Sequence, residues 1–255
     1  MGHTLAMEWQ KLRPFHKTSR TVATAIGLAV SVTAIVAAAM AANAKHMTVN
    51  DRHTFDSVGI SLQGVNAAVL AIAAFGVLCM TREYSTGMIS VTFLAQPRRL
   101  RVLAAKLLTH GAVAGVAGVL ACTSAFAVGQ ALLGTEGLAN GWSSAQLPSA
   151  LLGGVAYLML LCGWGVALGA LLRTSAAAIT WMASLLVVAP VIVQILPESV
   201  VHRIERWLPS QIGASAMSAH SDPHLFSPWV GLAVLAGYVL LTLAAGAWRM
   251  ARIDP

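Results

Sequence analysis

Charged, aromatic and turn-forming residues are concentrated in one stretch, REYSTGMISVTFLAQPRR, at residues 82–99. Three arginines and a glutamate there could pair with charges on another protein. Gly87 would let a second backbone approach closely, and Pro97 would end a helix. The stretch also offers three apolar anchors, Met88, Val91 and Phe93. These residue types favour a short docking helix; a plain basic loop would explain the arginines but not the other residues.

Enzyme signatures are absent from the sequence. There is no H-E-x-x-H, no G-x-S-x-G and no glycine-rich loop ending in Gly-Lys-Ser or Gly-Lys-Thr. His220, Asp222 and His224 could supply zinc ligands, but Pro223 interrupts the pattern and a polar loop is the favoured interpretation. We therefore predict no catalytic, cofactor-binding or metal-binding residue on this chain.

The composition indicates a membrane protein. Of the 255 residues, 57% are hydrophobic and 10% are charged, whereas soluble domains average about 25% charged. A membrane-spanning helix needs about 20 apolar residues. The sequence predicts a single all-α domain over 1–255 with six spanning helices, at residues 21–42, 58–80, 109–133, 147–172, 175–196 and 228–248.

The distribution of lysine and arginine predicts the orientation. With the N-terminus inside, 12 of the 16 basic residues fall in inner segments and six of the nine acids fall outside. We expect a multi-pass protein of the plasma (inner) membrane with both termini cytoplasmic. The net charge of +7 reflects this bias, and no basic run interleaved with aromatic residues suggests a nucleic-acid partner.

Two amphipathic stretches are too short to span. In residues 1–18, an apolar face containing Trp9 and Leu12 opposes a polar face, which predicts a helix lying on the inner leaflet. In the outer loop at 197–226, four apolar residues share a helical face and predict a short helix on the outer interface: Val200, Ile204, Trp207 and Leu208. An ordinary interfacial anchor is the plainer interpretation of both.

The predicted spans carry no acid and no base in their central turns. Ion-driven carriers usually bury such a group because coupling needs a change of charge or a bound ion. The spans instead contain amides such as Gln63, Asn66 and Gln194, which either join helices or line a weakly polar path. If the chain moves a substrate, the energy must come from elsewhere.

The segment GVLCMTREYSTGMISVTFLAQPRRLRVLAAK resembles the connection between the second and third spans of type-2 ABC transporter permeases, the export-type membrane subunits. There an E-x-x-x-G element starts a cytoplasmic coupling helix, a proline and basic residues follow, and a lysine opens the third span. The matching residues are Glu83, Gly87, Pro97, Arg98, Arg99 and Lys106. EWQKLR near the N-terminus resembles the family's interfacial helix, and residues from 196 onward resemble its last outer loop, final span and basic tail.

The resemblance implies two separate ATP-binding subunits, a second permease copy that is identical or related, and surrounding membrane lipids. ATP and Mg²⁺ would bind on the partner, and this chain would need no cofactor. It also implies three groups of site residues. The ATPase interface would comprise Arg82, Glu83, Tyr84, Thr86, Gly87, Met88, Val91, Phe93, Arg98 and Arg99, within the coupling region 81–99. The interfacial helix would use Glu8, Trp9, Lys11, Leu12 and Arg13, and the substrate path Gln63, Asn66 and Gln194.

The cargo that suits such walls is amphiphilic or lipid-like: a drug, antibiotic, peptide or lipid. Two alternatives stay open. A self-sufficient carrier or channel is disfavoured by the uncharged spans. A membrane enzyme or assembly factor would need a polar catalytic cluster, which the sequence does not contain.

Overall fold

A computed structural model describes residues 7–9, 15–48, 51–52, 54–95, 99–139, 141–219 and 223–253. Within these ranges the chain is all-helical and contains no β-strand. Six helices are long and apolar enough to cross a membrane. They are numbered here as the first to sixth spans: Phe15–Asn43, Val65–Ser85, Arg99–Gly134, Leu147–Leu172, Ser175–Val193 and Pro228–Ile253. Four shorter α-helices lie between them: Ser57–Leu62, Met88–Ala95, Glu198–Ile204 and Pro209–Met217.

The third span is much longer than the sequence predicts. Its 36 residues correspond to about 54 Å at 1.5 Å per residue, whereas the hydrocarbon core is about 30 Å thick. The excess lies at its start, where residues 99–108 precede the predicted apolar segment. This end of the helix therefore projects past the apolar zone, toward the connection at 86–98.

The predicted second span is interrupted near one end. Ser57–Leu62 and Val65–Ser85 are separate helices joined at Gln63 and Gly64. A Cβ on Gly64 would lie 2.1 Å from the Ala29 carbonyl oxygen of the first span. The expectation of one continuous helix was wrong here, because a turn at Gln63 and Gly64, where the backbone touches the first span, separates the two helices.

The fifth span contains a wide turn. Ser184–Val188 is a π-helix in which the Ala189 amide donates to the Ser184 carbonyl. Pro190 follows immediately, and its missing amide removes one ordinary helical bond. The helix then ends at Val193, so Gln194 lies in a turn outside the span rather than within it.

The fourth span forms the centre of the bundle. Of the residues in its apolar stretch 61% are buried, against 22% for the fifth span. Its backbone lies directly against the second span: a Cβ on Gly76 would be 2.1 Å from the Cys162 carbonyl oxygen, and one on Gly165 would be 2.3 Å from that of Ala73. Small residues at these positions permit a helix contact that side chains would prevent.

The described part of the loop between the fifth and sixth spans contains two short α-helices, and the second of them, Pro209–Met217, packs into the bundle. Tyr157 and Tyr238 each lie ten residues, or about 15 Å, from the start of their spans. The Tyr157 ring occupies the space beside Gly213, and the Tyr238 hydroxyl donates to the Trp207 carbonyl at 3.2 Å. The helix Pro209–Met217 thus inserts between the first halves of the fourth and sixth spans.

Small residues explain this insertion. A Cβ on Gly153 would lie 2.1 Å from the Ala216 carbonyl oxygen, and Ile212 and Met217 are buried. The short helix predicted for this loop forms over Glu198–Ile204; of its predicted apolar residues, Val200, Ile204 and Trp207 are exposed and Leu208 is buried. Pro209 begins the inserted helix.

The close approach of the second and fourth spans predicts opposite effects of the same substitution at two helical glycines. Gly76→Ala should destabilise the protein by about 1–3 kcal/mol because it forces two backbones apart. Gly111→Ala is the matched control, since nothing lies within 4 Å of a Cβ there; it should be neutral or stabilising because alanine favours helix. Thermal unfolding in detergent measures both. Equal stability of the two variants would contradict the packing described.

Candidate functional site

The two ends of the bundle differ in charge. One end, called the basic end, contains the start of the first span, the connection at 86–98, the turn at Arg173 and Thr174, and the end of the sixth span. The other, called the loop end, contains the longer connections between spans. The docking residues predicted from the sequence, as far as the structure describes them, belong to the basic end.

A buried ion cluster lies at this end. The Lys106 ammonium donates to Glu83 Oε1 at 2.7 Å and to Glu8 Oε2 at 2.9 Å. The exposed fraction of these side chains is 2% for Lys106, 1% for Glu8 and 10% for Glu83. The cluster joins three segments that are distant in sequence: the helical residues 7–9, the last turn of the second span and the start of the third.

The three side chains of the cluster neutralise one another's charges in a region that is almost inaccessible to solvent. Removing one partner of a buried pair typically costs about 3–5 kcal/mol, because the remaining charge is left without compensation. Glu83 also lies near the C-terminal, negative end of a helix, where an acid is unfavourable. The Lys106 ammonium compensates the buried negative charge of Glu83 and offsets its unfavourable position at this helix end. The Lys106 ammonium therefore bridges Glu8 and Glu83.

The second span ends at a glycine in the left-handed conformation. Gly87 has φ +70° and its amide donates to the Tyr84 carbonyl at 3.2 Å. Thr86 caps the same helix end, because its amide and its hydroxyl both donate to the Arg82 carbonyl, at 3.0 and 2.8 Å. A left-handed glycine after the last helical turn is a common helix stop. Glu83 is therefore part of the second span, and the short helix begins only after Gly87.

The helix Met88–Ala95 has one buried and one exposed face. Ile89 and Thr92 are buried. Met88, Val91 and Leu94 are spaced by three residues and expose 50%, 64% and 83% of their surfaces. Exposed apolar patches of this kind mark contact sites for proteins or lipids. Nothing is described of the Phe93 side chain, and residues 96–98, which include Pro97 and Arg98, lie outside the described residues.

Arginines at this end bond to helix C-termini. Arg99 donates through Nη1 to the Met250 carbonyl of the sixth span. Arg249 donates in the same way to the Leu171 carbonyl of the fourth span. The last carbonyls of a helix have no partner within it, and basic side chains commonly satisfy them. Arg99, predicted as a docking residue, thus also caps a neighbouring helix.

Arg173 links the turn between the fourth and fifth spans to the second span. Its φ is +64°, a conformation that costs a non-glycine residue about 1–2 kcal/mol. Its amide donates to the Gly169 carbonyl at 3.0 Å, and its guanidinium carbon lies 5.2 Å from the centre of the Tyr84 ring. Tyr84, another predicted docking residue, is therefore covered on one side by this arginine.

The predicted docking residues divide by exposure. Arg82, Thr86, Gly87, Met88 and Val91 are exposed, Tyr84 and Arg99 are half-buried, and Glu83 is buried. In the predicted interfacial helix Glu8 is buried and Trp9 is exposed, while Lys11, Leu12 and Arg13 lie outside the described residues.

Sequence reasoning did not identify Lys106 as the centre of the cluster, and it missed the exposed Leu94. The sequence contained one indication of the cluster, the scarcity of acidic residues on the predicted inner side. Glu8 and Glu83 are two of only three acids on the predicted inner side, among 12 basic residues.

The predicted path residues lie toward the loop end. Gln63 is exposed in the turn between two helices, and Gln194 is exposed after the fifth span. Asn66 is half-buried, and its side-chain oxygen Oδ1 is buried without a hydrogen-bond partner. The ion cluster and these amides thus belong to opposite ends of the bundle.

No metal-binding group of three or more histidine, cysteine or acidic residues occurs in the part of the chain that the structure describes. Residues 220–222 lie outside it. His224, from the same predicted loop, stacks on His202 with ring centres 4.3 Å apart.

No protein-family model, curated protein or solved structure matches this chain. The chain is a multi-pass membrane protein with six candidate spans.

The ion cluster predicts a strong effect of neutralising its centre. Lys106→Met should lower the free energy of unfolding by about 3–5 kcal/mol because it removes the ammonium group that bonds to both buried carboxylates. Lys45→Met removes an exposed lysine at the loop end and serves as the control. Thermal unfolding in detergent gives the comparison.

The triple variant Lys106→Met, Glu8→Gln and Glu83→Gln should recover part of this loss, because it removes the uncompensated charges together. A triple variant less stable than Lys106→Met would show that the three groups do not act as one cluster.

Proposed function

We propose that this chain is the membrane-spanning permease subunit of an ATP-driven exporter of the ABC type. Separate ATP-binding subunits, which carry ATP and Mg²⁺, dock on the helix Met88–Ala95 at the basic end. The chain moves an amphiphilic or lipid-like substrate across the plasma membrane. In this proposal both termini and the docking helix are cytoplasmic, as the distribution of basic residues predicts.

The observation that carries the proposal is the exposed face of a short helix outside the spans. Met88, Val91 and Leu94 present apolar side chains on one face. A short helix of this type suits a hydrophobic groove on a soluble partner, with anchors at intervals of three or four residues. Arg82, exposed one turn before the glycine, adds a charge at the rim.

The structure supports a route by which motion of this helix would reach the spans. Ile89, on the buried face, belongs to one apolar cluster with Met80 of the second span and Leu103 of the third. The ion cluster fastens the same two spans one turn away. A partner that shifts the docking helix would therefore displace the ends of both spans together.

The placement of charge favours an external energy source. Within the described spans every aspartate, glutamate, lysine and arginine lies near an end, and the central turns carry none. An ion-driven carrier would need a titratable or ion-binding group at depth. ATP hydrolysis on a partner supplies the energy without one.

The proposed assembly contains a second permease copy, identical or related. The first, fifth and sixth spans have the least buried apolar stretches, at 28%, 22% and 28%. Their exposed surfaces are available for a partner or for lipid. Gln63, Asn66 and Gln194 remain the proposed polar residues of the substrate path.

Affinity purification from native membranes tests the proposal. The tagged chain should bring down a subunit with nucleotide-binding motifs and an ATPase activity inhibited by vanadate. Val91→Arg should remove most of that activity, because it places a charge on the apolar docking face. Ile195→Arg, at an 80% exposed site at the loop end, should leave it in place.

Glu83→Arg is unsuitable for this experiment, since it would break the buried cluster and alter the fold as well as the contact. If the chain purifies without an ATPase and transports in its absence, the proposed function is wrong. If Val91→Arg and Ile195→Arg retain equal ATPase activity, the docking face is wrong.

A further inference from the structure

A groove separates the start of the third span from the end of the sixth. It encloses about 260 Å³ and is lined by Arg99, Leu100, Leu103, Ala247, Trp248 and Met250. Five of these six residues are apolar. The groove lies at the basic end of the bundle, where both helices leave the apolar zone.

The surroundings of the groove are those of a lipid-facing surface. Leu100 and Trp248 expose 66% and 57% of their surfaces. Tryptophan is enriched at the boundary between hydrocarbon and headgroups, and Trp248 lies near the end of the sixth span. The sixth span continues from there as an uninterrupted apolar helix toward the loop end. An acyl chain lying along it would enter the groove from the membrane side.

Two guanidinium groups border the groove on its polar side. Arg99 lines it directly and donates to the Met250 carbonyl. The Arg252 guanidinium carbon lies 4.8 Å from the centre of the Trp248 ring, and this side chain is exposed. The exposed Arg252 guanidinium carries five N–H donors and can bind an anion at the mouth of the groove.

We propose that this groove binds an anionic phospholipid, with an acyl chain against Leu103 and Ala247 and the phosphate near Arg252. Basic pockets between spanning helices at the membrane surface suit anionic headgroups. The charge at the mouth selects the headgroup, and the apolar lining accepts the chain. The site is separate from the exposed face of Met88–Ala95 and does not depend on the proposed function.

Native mass spectrometry of the delipidated protein tests this site. Dioleoyl phosphatidylglycerol should bind about 5-fold more tightly than dioleoyl phosphatidylcholine, at about 1 kcal/mol for one arginine. Arg252→Gln should remove most of this preference. Arg206→Gln is the matched control, because Arg206 is also exposed and lies over a tryptophan ring, that of Trp207 at 5.8 Å, but at the loop end.

A second pair of variants tests the groove itself. Ala247→Phe should fill it and weaken phosphatidylglycerol binding, whereas Leu240→Phe, at a 65% exposed site on the same span, should not. Glycerol 3-phosphate, which has the phosphate but no acyl chain, should not compete.

Equal binding of the two lipids by the unmodified protein would overturn the proposal. So would equal effects of Arg252→Gln and Arg206→Gln, equal effects of the two phenylalanine variants, or full competition by glycerol 3-phosphate. If phosphatidylglycerol is absent from a complex of this chain with an ATP-binding subunit, the groove binds that subunit and not a lipid.

Discussion

The structure of the basic end depends on one buried lysine whose positive charge is compensated by two carboxylates. Lys106 lies inside a helix and is almost fully buried, and two carboxylates from distant parts of the chain compensate its charge. The geometry is demanding because a buried ion pair is stable only when its partners stay within hydrogen-bond distance. The residues around Glu8, the end of the second span and the start of the third are therefore positioned together.

The rest of the bundle provides a rigid frame for this end. The second and fourth spans approach until backbone touches backbone at Gly76 and Gly165, so they have little freedom to slide. Arg249 and Arg99 then tie the sixth span to the ends of the fourth and third. Against this frame the helix Met88–Ala95 is attached through one apolar face and leaves its other face exposed. A partner bound there would act on an element that the cluster connects to two spans.

The sequence predicted the spans well because length and hydrophobicity are local properties. The fourth span agrees at both ends, Leu147 and Leu172. Features that depend on tertiary contact were missed. The turn at Gly64 lies against the first span, and the inserted helix Pro209–Met217 packs closely where Gly153 and Gly213 leave room for it. The ion cluster could be expected only in part, since Lys106 and Glu8 are 98 residues apart. Glu83 was predicted on a docking surface because its motif precedes the short helix, whereas the structure buries it against Lys106.

Hydrogen–deuterium exchange tests most directly whether the ion cluster organises the basic end. We would compare the unmodified protein with Lys106→Met and follow peptides that cover Met88–Ala95 and Pro209–Met217. If the cluster holds the docking helix in place, amides of Met88–Ala95 exchange faster in the variant while those of Pro209–Met217, at the loop end, are unchanged. Unchanged exchange in Met88–Ala95, or an equal increase in both helices, would contradict a local organising role for Lys106.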